Sequence, residues 1–321
     1  TGGGWGPGGR SGPVGTPTSP TATLSGGRIV WDIGGMSHDD KVPEGEARCT
    51  EHGEDAACVR TVHAAERDLG GFLVRRVLPQ AKQRAVGPFV FFDHFGPVVV
   101  APGQGMQVRP HPHIGLATVS YLFEGAVEHR DSVGSVQTIE PGAINWMTAG
   151  RGISHSERQP DALVGEGLRT HGLQLWLALP KTHEEVEPAF HHHAADSLPS
   201  VEVGGVTARV LIGSAWGATS PVATFAPTLY LDVPLGAGAS FEVPADYAER
   251  GVYVVRGEVA CAGRPHASGD LLVVREGMTP TLTASSDAHV VVVGGAPLDG
   301  PRHLWWNFVS SSKVRLEQAK R

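Results

Sequence analysis

His111 and His113 stand two residues apart in RPHPHIGLATVSYLFEG (109–125), at the head of a run that reads as a strand. Side chains alternate faces along an extended chain, so residues i and i+2 point the same way. Two imidazoles on one face need either water or a shared partner. The same spacing recurs at His155 and Glu157 in TAGRGISHSE (148–157). If the two segments converge, three neutral imidazoles and a carboxylate form a metal site with positions left open. That donor set suits Fe(II), Mn, Ni, Cu or Zn. The bland reading is a polar turn whose histidines cap backbone carbonyls, since 16 histidines in the chain make one HxH pair expected by chance.

For the four side chains to meet, the chain between them must double back. Gly125, Gly134 and Gly142 fall where hairpin turns are needed, and an antiparallel barrel returns a chain to lie beside its start. From near Phe72 (GFLVRRVLP) to about residue 295, short apolar runs alternate with Gly, Pro and Asp, as in LATVSYLF, VTARVLIG, TLYLDVPL and AHVVVVGG. In HGLQLWLAL, Leu173, Leu175, Leu177 and Leu179 share one face, a clean period of two. Many short strands with turn signals between them predict a sandwich or barrel. At the end, SSKVRLEQAKR predicts a short C-terminal helix with Ser311 or Ser312 as N-cap.

An internal echo sets the architecture. YLFEGAVEH (121–129) and YVVRGEVAC (253–261) share a frame, and IEPGAINWM (139–147) is matched by HASGDLLVV (266–274). The offsets, 132 and 127 residues, are those of a diverged duplication, so the fold class is all-β with two barrels in tandem. The expected division is a disordered Gly/Pro-rich extension and linker over 1–60, a first barrel over 61–185 and a second over 186–321. Applied to the histidine pairs, the offsets land on Val243, Ala245, Leu282 and Ala284. The second half keeps the scaffold without the ligands, which assigns the chemistry to the first barrel.

Bulk properties exclude several classes. A formal net charge of -7 over 321 residues argues against direct nucleic-acid binding, which calls for a basic face. No apolar run approaches the roughly 20 residues of a membrane span, and residues 1–30 lack the pattern of a secretory signal. Cys49, Cys58 and Cys261 are irregularly spaced and read as reduced thiols in a cytoplasmic protein. Weaker candidates have structural readings. His191–His193 fall in an expected loop, His129 hydrogen-bonds within a hairpin, and DHFG (93–96) is a turn near the barrel mouth. Trp146 and Met147 could line a pocket, though a Trp on a strand is usually core.

The strings HPHIG, TVSYLFEGAVEHRDS, PGAINWMTAGRGISHSE, HGLQLWLALP and LWWNFVSSSKVRLEQAK together resemble the pirin family of the cupin superfamily, over roughly residues 65–320. The resemblance implies a bicupin, two tandem cupin β-barrels of which the first binds one divalent metal ion, with Fe(II) the ion expected. The family's HxH and HxE ligands map onto His111, His113, His155 and Glu157. One departure is Ala117, where family members commonly have Glu; the ligand set itself is intact. Some bacterial members resemble quercetinases, which implies a small aromatic flavonol-type (quercetin-like) substrate and dioxygen. Glu157 is then the candidate catalytic base for the substrate's hydroxyl, and the ion stabilises the negative charge. The alternative is a non-enzymatic, iron-dependent regulator that binds a protein partner. No oligomeric partner is implied, and a monomer is the expectation.

Overall fold

The computed structural model describes residues 1–2, 24–25, 28–31, 49–54, 56–69 and 73–321. The expected disorder of residues 1–27 thus falls almost wholly outside the described residues, as does Phe72. The described chain is mostly strand, with one short α-helix over Lys313–Ala319. Ser312 caps that helix, its Oγ accepting from the Arg315 N–H at 3.4 Å.

Two barrels are present, each a large sheet facing a small one. The large sheet of the first runs, strand by strand, Ala189–His193, Ile144–Thr148, Leu116–Glu124, Leu168–Ala178, Phe89–Val100, Leu73–Leu78 and Ala65–Asp68. The large sheet of the second runs Cys49–Glu51, Cys58–His63, Asp270–Val274, Glu249–Arg256, Ala288–Gly295, Thr228–Leu235, Val206–Ile212 and Ser200–Val203. Leaving aside the added Cys49–Glu51 edge, the two orders correspond element for element. The small sheets correspond too, leaving aside Leu24–Ser25 and Arg28–Trp31, which add to the edge of the first. Met106–His113, Ile153–Arg158, Val127–Asp131 and Val136–Ile139 in the first match Ser240–Glu242, Thr281–Ala284, Glu258–Cys261 and Arg264–Ala267 in the second. The duplication read from the echo is therefore a duplication of topology.

The two large sheets bury one face each in a shared core. Leu173, Leu175, Leu177 and Leu179 point into it with Val119 and Tyr121, and Tyr230, Tyr253, Val291 and Val293 meet them from the second barrel. Alternation then turns Gln174 and Trp176 the other way, into the first barrel's own cavity. The period-two pattern of one strand thus builds the seam with one face and the site with the other.

The chain crosses between barrels in both directions. Cys58–His63 pairs antiparallel with Asp270–Val274 and closes the second barrel's sheet. Ala189–His193 pairs with Ile144–Thr148 and closes the first. The stretch 28–60, expected as linker, therefore contains strands at Arg28–Trp31, Cys49–Glu51 and the start of Cys58–His63. Arg28–Trp31 and Cys58–His63 pair with strands far along the chain, Met106–His113 and Asp270–Val274, while Cys49–Glu51 adds to Cys58–His63. His191–His193 likewise lie on a strand rather than in a loop. His192 Nδ1 sits 2.7 Å from Asn145 Oδ1. DHFG is the middle of the long Phe89–Val100 strand, not a turn. Asp93 there accepts two hydrogen bonds from Arg76, at 2.8 and 2.7 Å. All three cysteines are free thiols, with Cys58 Sγ 3.9 Å from Cys261 Sγ inside the second barrel.

The C-terminal segment returns to the first barrel. Phe308 bridges to Ile114, beside the HxH pair. Glu184 holds this segment in place, accepting from the Ser311 N–H at 2.8 Å and pairing with the buried Arg302 guanidinium at 2.9 Å. No described helix is long and apolar enough to cross a membrane.

Candidate metal centre

The HxH and HxE segments lie on adjacent antiparallel strands of the first barrel's small sheet. His111 is the direct cross-strand partner of His155, and His113 sits one alternation further, opposite Ile153. Imidazoles on one face of such a pair fall within contact range. Ring centroids are 4.3 Å apart for His111–His155, 4.9 Å for His111–His113 and 5.0 Å for His113–His155. All three histidines are buried, and each offers a ring nitrogen within 4.8 Å of the other two. A bulge interrupts the ladder between His155 and Glu157. Glu157 opens onto the same cavity as the three histidines. Its carboxylate forms a second close triple, with His155 and His129, and not with His111 and His113.

The proton positions follow from the partners. His111 Nδ1 lies 2.8 Å from the Arg109 carbonyl, and His113 Nδ1 lies 2.9 Å from the Asn307 carbonyl. A carbonyl only accepts, so both Nδ1 atoms carry the proton and both Nε2 atoms are bare. His129 Nε2 faces Asp131 Oδ2 at 2.9 Å and must donate to it. Its own Nδ1 is then an acceptor, 3.3 Å from His155 Nδ1, which donates. That leaves His155 Nε2 bare as well. Burial holds all of these rings neutral: it takes His111 down to about 4 and His113, His155 and His129 below their ordinary value. His113 Nε2 and His155 Nε2 therefore face each other at 3.1 Å, lone pair against lone pair. In a buried site that is repulsive, and a cation between the two removes the repulsion. The donor set fits a metal ion on this ground.

The walls are apolar. The cavity has a volume of about 100 Å³ and is bounded by Phe91, Phe95, Leu122, Val127 and Trp176 among others. Trp176 meets His113 edge-on at 5.1 Å and stacks on Phe91 at 4.0 Å. Burial pushes the Glu157 carboxyl up to about 7, against a smaller opposing effect from the Ser120 hydroxyl at 3.4 Å. Ser120 Oγ is held 2.8 Å from Gln174 Oε1.

Trp146 and Met147 are core residues, 3% and 1% exposed, and do not line the cavity. Ala117 is fully buried in the shared core, on the face opposite Ser120 and Leu122. The departure at this position therefore points away from the cavity. His129 does hydrogen-bond within its hairpin, as expected, but it also supports His155. The signal that found the other pairs was available here: His129 and Asp131 are again at i and i+2. The Asn307 carbonyl carried no sequence signal at all.

The second barrel is an internal control. There Phe241 is the cross-strand partner of Leu282, as His111 is of His155. The position of His113 is taken by Val243 and that of Glu157 by Ala284, so the echo slips by two residues on the first strand. Phe241, Val243, Leu282 and Ala284 are all buried at 1% exposure or less and fill the second barrel's interior. An apolar plug stands where the first barrel has its histidines.

Residues 71–177 match the Pirin family and residues 230–321 match the Pirin C-terminal cupin domain. The chain belongs to the pirin family. A pirin-like protein of Caulobacter vibrioides is 48% identical over 260 residues, covering 80% of this chain and 90% of its own. Human pirin is 33% identical over 260 residues, covering 78% and 85%. A crystal structure of a quercetin 2,3-dioxygenase from Acinetobacter baumannii is similar with a TM-score of 0.76 and 34% identity, covering 81% of this chain and 86% of that one. Pirin domains thus account for both barrels, and the histidine cluster of the first is a candidate metal site.

Proposed function

We propose that this pirin is a dioxygenase that opens a flavonol-type, quercetin-like ring at one divalent ion held by His111, His113, His155 and Glu157. Fe(II) is the first choice among ions that accept imidazole and carboxylate. The observation that carries the reading is the set of three bare Nε2 atoms at the foot of an apolar-walled cavity. The likeness to the Acinetobacter quercetin 2,3-dioxygenase supports the substrate class.

A bound ion would supply Lewis acidity for a deprotonated hydroxyl and bring dioxygen into reach. The chain's own residues do the rest. Glu157 takes the hydroxyl proton as the general base. The Ser120 hydroxyl, whose one proton can go to Gln174 Oε1 at 2.8 Å or to Glu157 Oε1 at 3.4 Å, lies beside that carboxylate. Phe91, Phe95 and Trp176 exclude water and offer flat surfaces to an aromatic ring. The cavity is smaller than the roughly 300–1,000 Å³ of pockets that swallow a whole ligand. It would receive the chelating end of a flavonol while the remainder lies at the mouth.

The test is oxygen uptake by purified, iron-loaded protein with quercetin under air. The proposal expects uptake that depends on both iron and quercetin. Full metal loading with no uptake above the protein-free rate contradicts it.

A further inference from the structure

A second cavity, of about 680 Å³, lies in the cleft between the barrels and is walled by both halves of the chain. Four guanidinium groups line it: Arg75 and Arg169 from the first barrel, Arg209 and Arg256 from the second. Two carboxylates line it as well, and both are engaged. Glu124 pairs with Arg169. Asp232 accepts from the Tyr121 hydroxyl at 2.7 Å and from His289 Nε2 at 2.5 Å.

The other three arginines meet no carboxylate among the described residues. Arg75 reaches across the seam to Ser268 Oγ at 2.9 Å and donates to His94 Nε2 at 3.1 Å. Arg209 donates to the Gly142 carbonyl at 3.2 Å, also across the seam. Arg256 is exposed. A chain of net charge -7 thus gathers four cations against two anions in one cleft. Low-dielectric walls concentrate such a field. Burial, opposed by Glu124 and reinforced by Arg75, His289 and Arg169, holds the His171 imidazole down at about 4.

The cleft also has an aromatic wall. The half-buried Phe123 ring lies between two imidazoles, 4.9 Å from His171 and 4.8 Å from His289. Arginine forks bind carboxylate and phosphate through paired N–H donors, and ring faces take flat organic groups.

We propose that the inter-barrel cleft binds a small organic oxyanion, a planar ring carrying carboxylate or phosphate groups, between Arg75, Arg209, Arg256 and Phe123. The site is separate from the histidine cavity and goes beyond the dioxygenase reading, because its lining shares none of the three histidines or Glu157.

The test is calorimetric titration of the full, metal-loaded chain with phthalate, adenosine monophosphate and inorganic phosphate at fixed ionic strength. Phthalate or adenosine monophosphate binds, and whichever binds more tightly identifies a carboxylate or a phosphate source. Arg256→Ala, which disturbs no described contact, weakens that binding at least about tenfold, the loss of one charge-assisted pair. Arg75→Ala does the same, and binding survives in His111→Ala. Three results would overturn the proposal: no binding of either organic anion, affinity unchanged in both arginine variants, or binding lost in His111→Ala. Inorganic phosphate binding as tightly as the ring-bearing anions would overturn the role given to Phe123.

Discussion

His155 Nε2 points at His113 Nε2 because its other nitrogen is tied, through His129, to the Asp131 carboxylate. That relay of carboxylate, imidazole and imidazole fixes the tautomer of a candidate ligand from behind. Second-layer partners of this kind are commonly worth about 10–100-fold in metal affinity. His129→Phe keeps the ring stack on Phe190, at 4.3 Å, but removes the acceptor for His155. Metal affinity in chelator competition should fall by about that factor. His129→Asn, with an oxygen near the place of Nδ1, should restore most of it. Equal affinity in all three proteins would show that the relay does not orient His155.

Glu157→Gln keeps the side chain's size and removes its charge and basicity. A neutral amide is tolerated in a buried site that already lifts the carboxyl to about 7. The variant should melt near the wild type, while quercetin-dependent oxygen uptake drops by about 10²–10⁴, the usual worth of a general base. Retained turnover would remove Glu157 from the role of base. Lost turnover with intact metal and fold would favour an enzyme over a purely partner-binding protein.

Arg302 and Glu184 form a buried ion pair at 2.9 Å that anchors the returning C-terminal segment. Arg302→Met leaves the Glu184 carboxylate buried with only the Ser310 and Ser311 donors. Breaking a buried pair in this way costs about 3–5 kcal/mol, which urea unfolding would measure. The segment also presents the Asn307 carbonyl to His113, so metal affinity should weaken with it. A change under 1 kcal/mol would mean the pair is not what holds the segment.

Much of the site was legible because alternation along a strand is a local property. It put His111 with His113, His155 with Glu157, and the four leucines of 173–179 on single faces. Which strands become neighbours is not local. The pairing of Cys58–His63 with Asp270–Val274 joins segments some 200 residues apart in sequence, and nothing in CVRTVH announces its partner. The loop reading of His191–His193 failed for the same reason, since the pairing with Ile144–Thr148 is what makes this segment a strand. The duplication pointed to the first barrel, where the histidines cluster, but its offset slipped by two residues at Phe241, where the loops between equivalent strands differ in length. Asn307 acts through its backbone carbonyl, for which side-chain chemistry gives no clue.

Metal content measured by elemental analysis of purified protein, beside His111→Ala, tests the central claim most directly. Three bare imidazole nitrogens and a carboxylate on one cavity predict about one divalent ion per chain in the wild type. His111→Ala, folded by circular dichroism, should retain little or none. Wild-type protein that takes up no divalent ion when supplied with one, or a folded His111→Ala that holds as much as the wild type, would contradict the account.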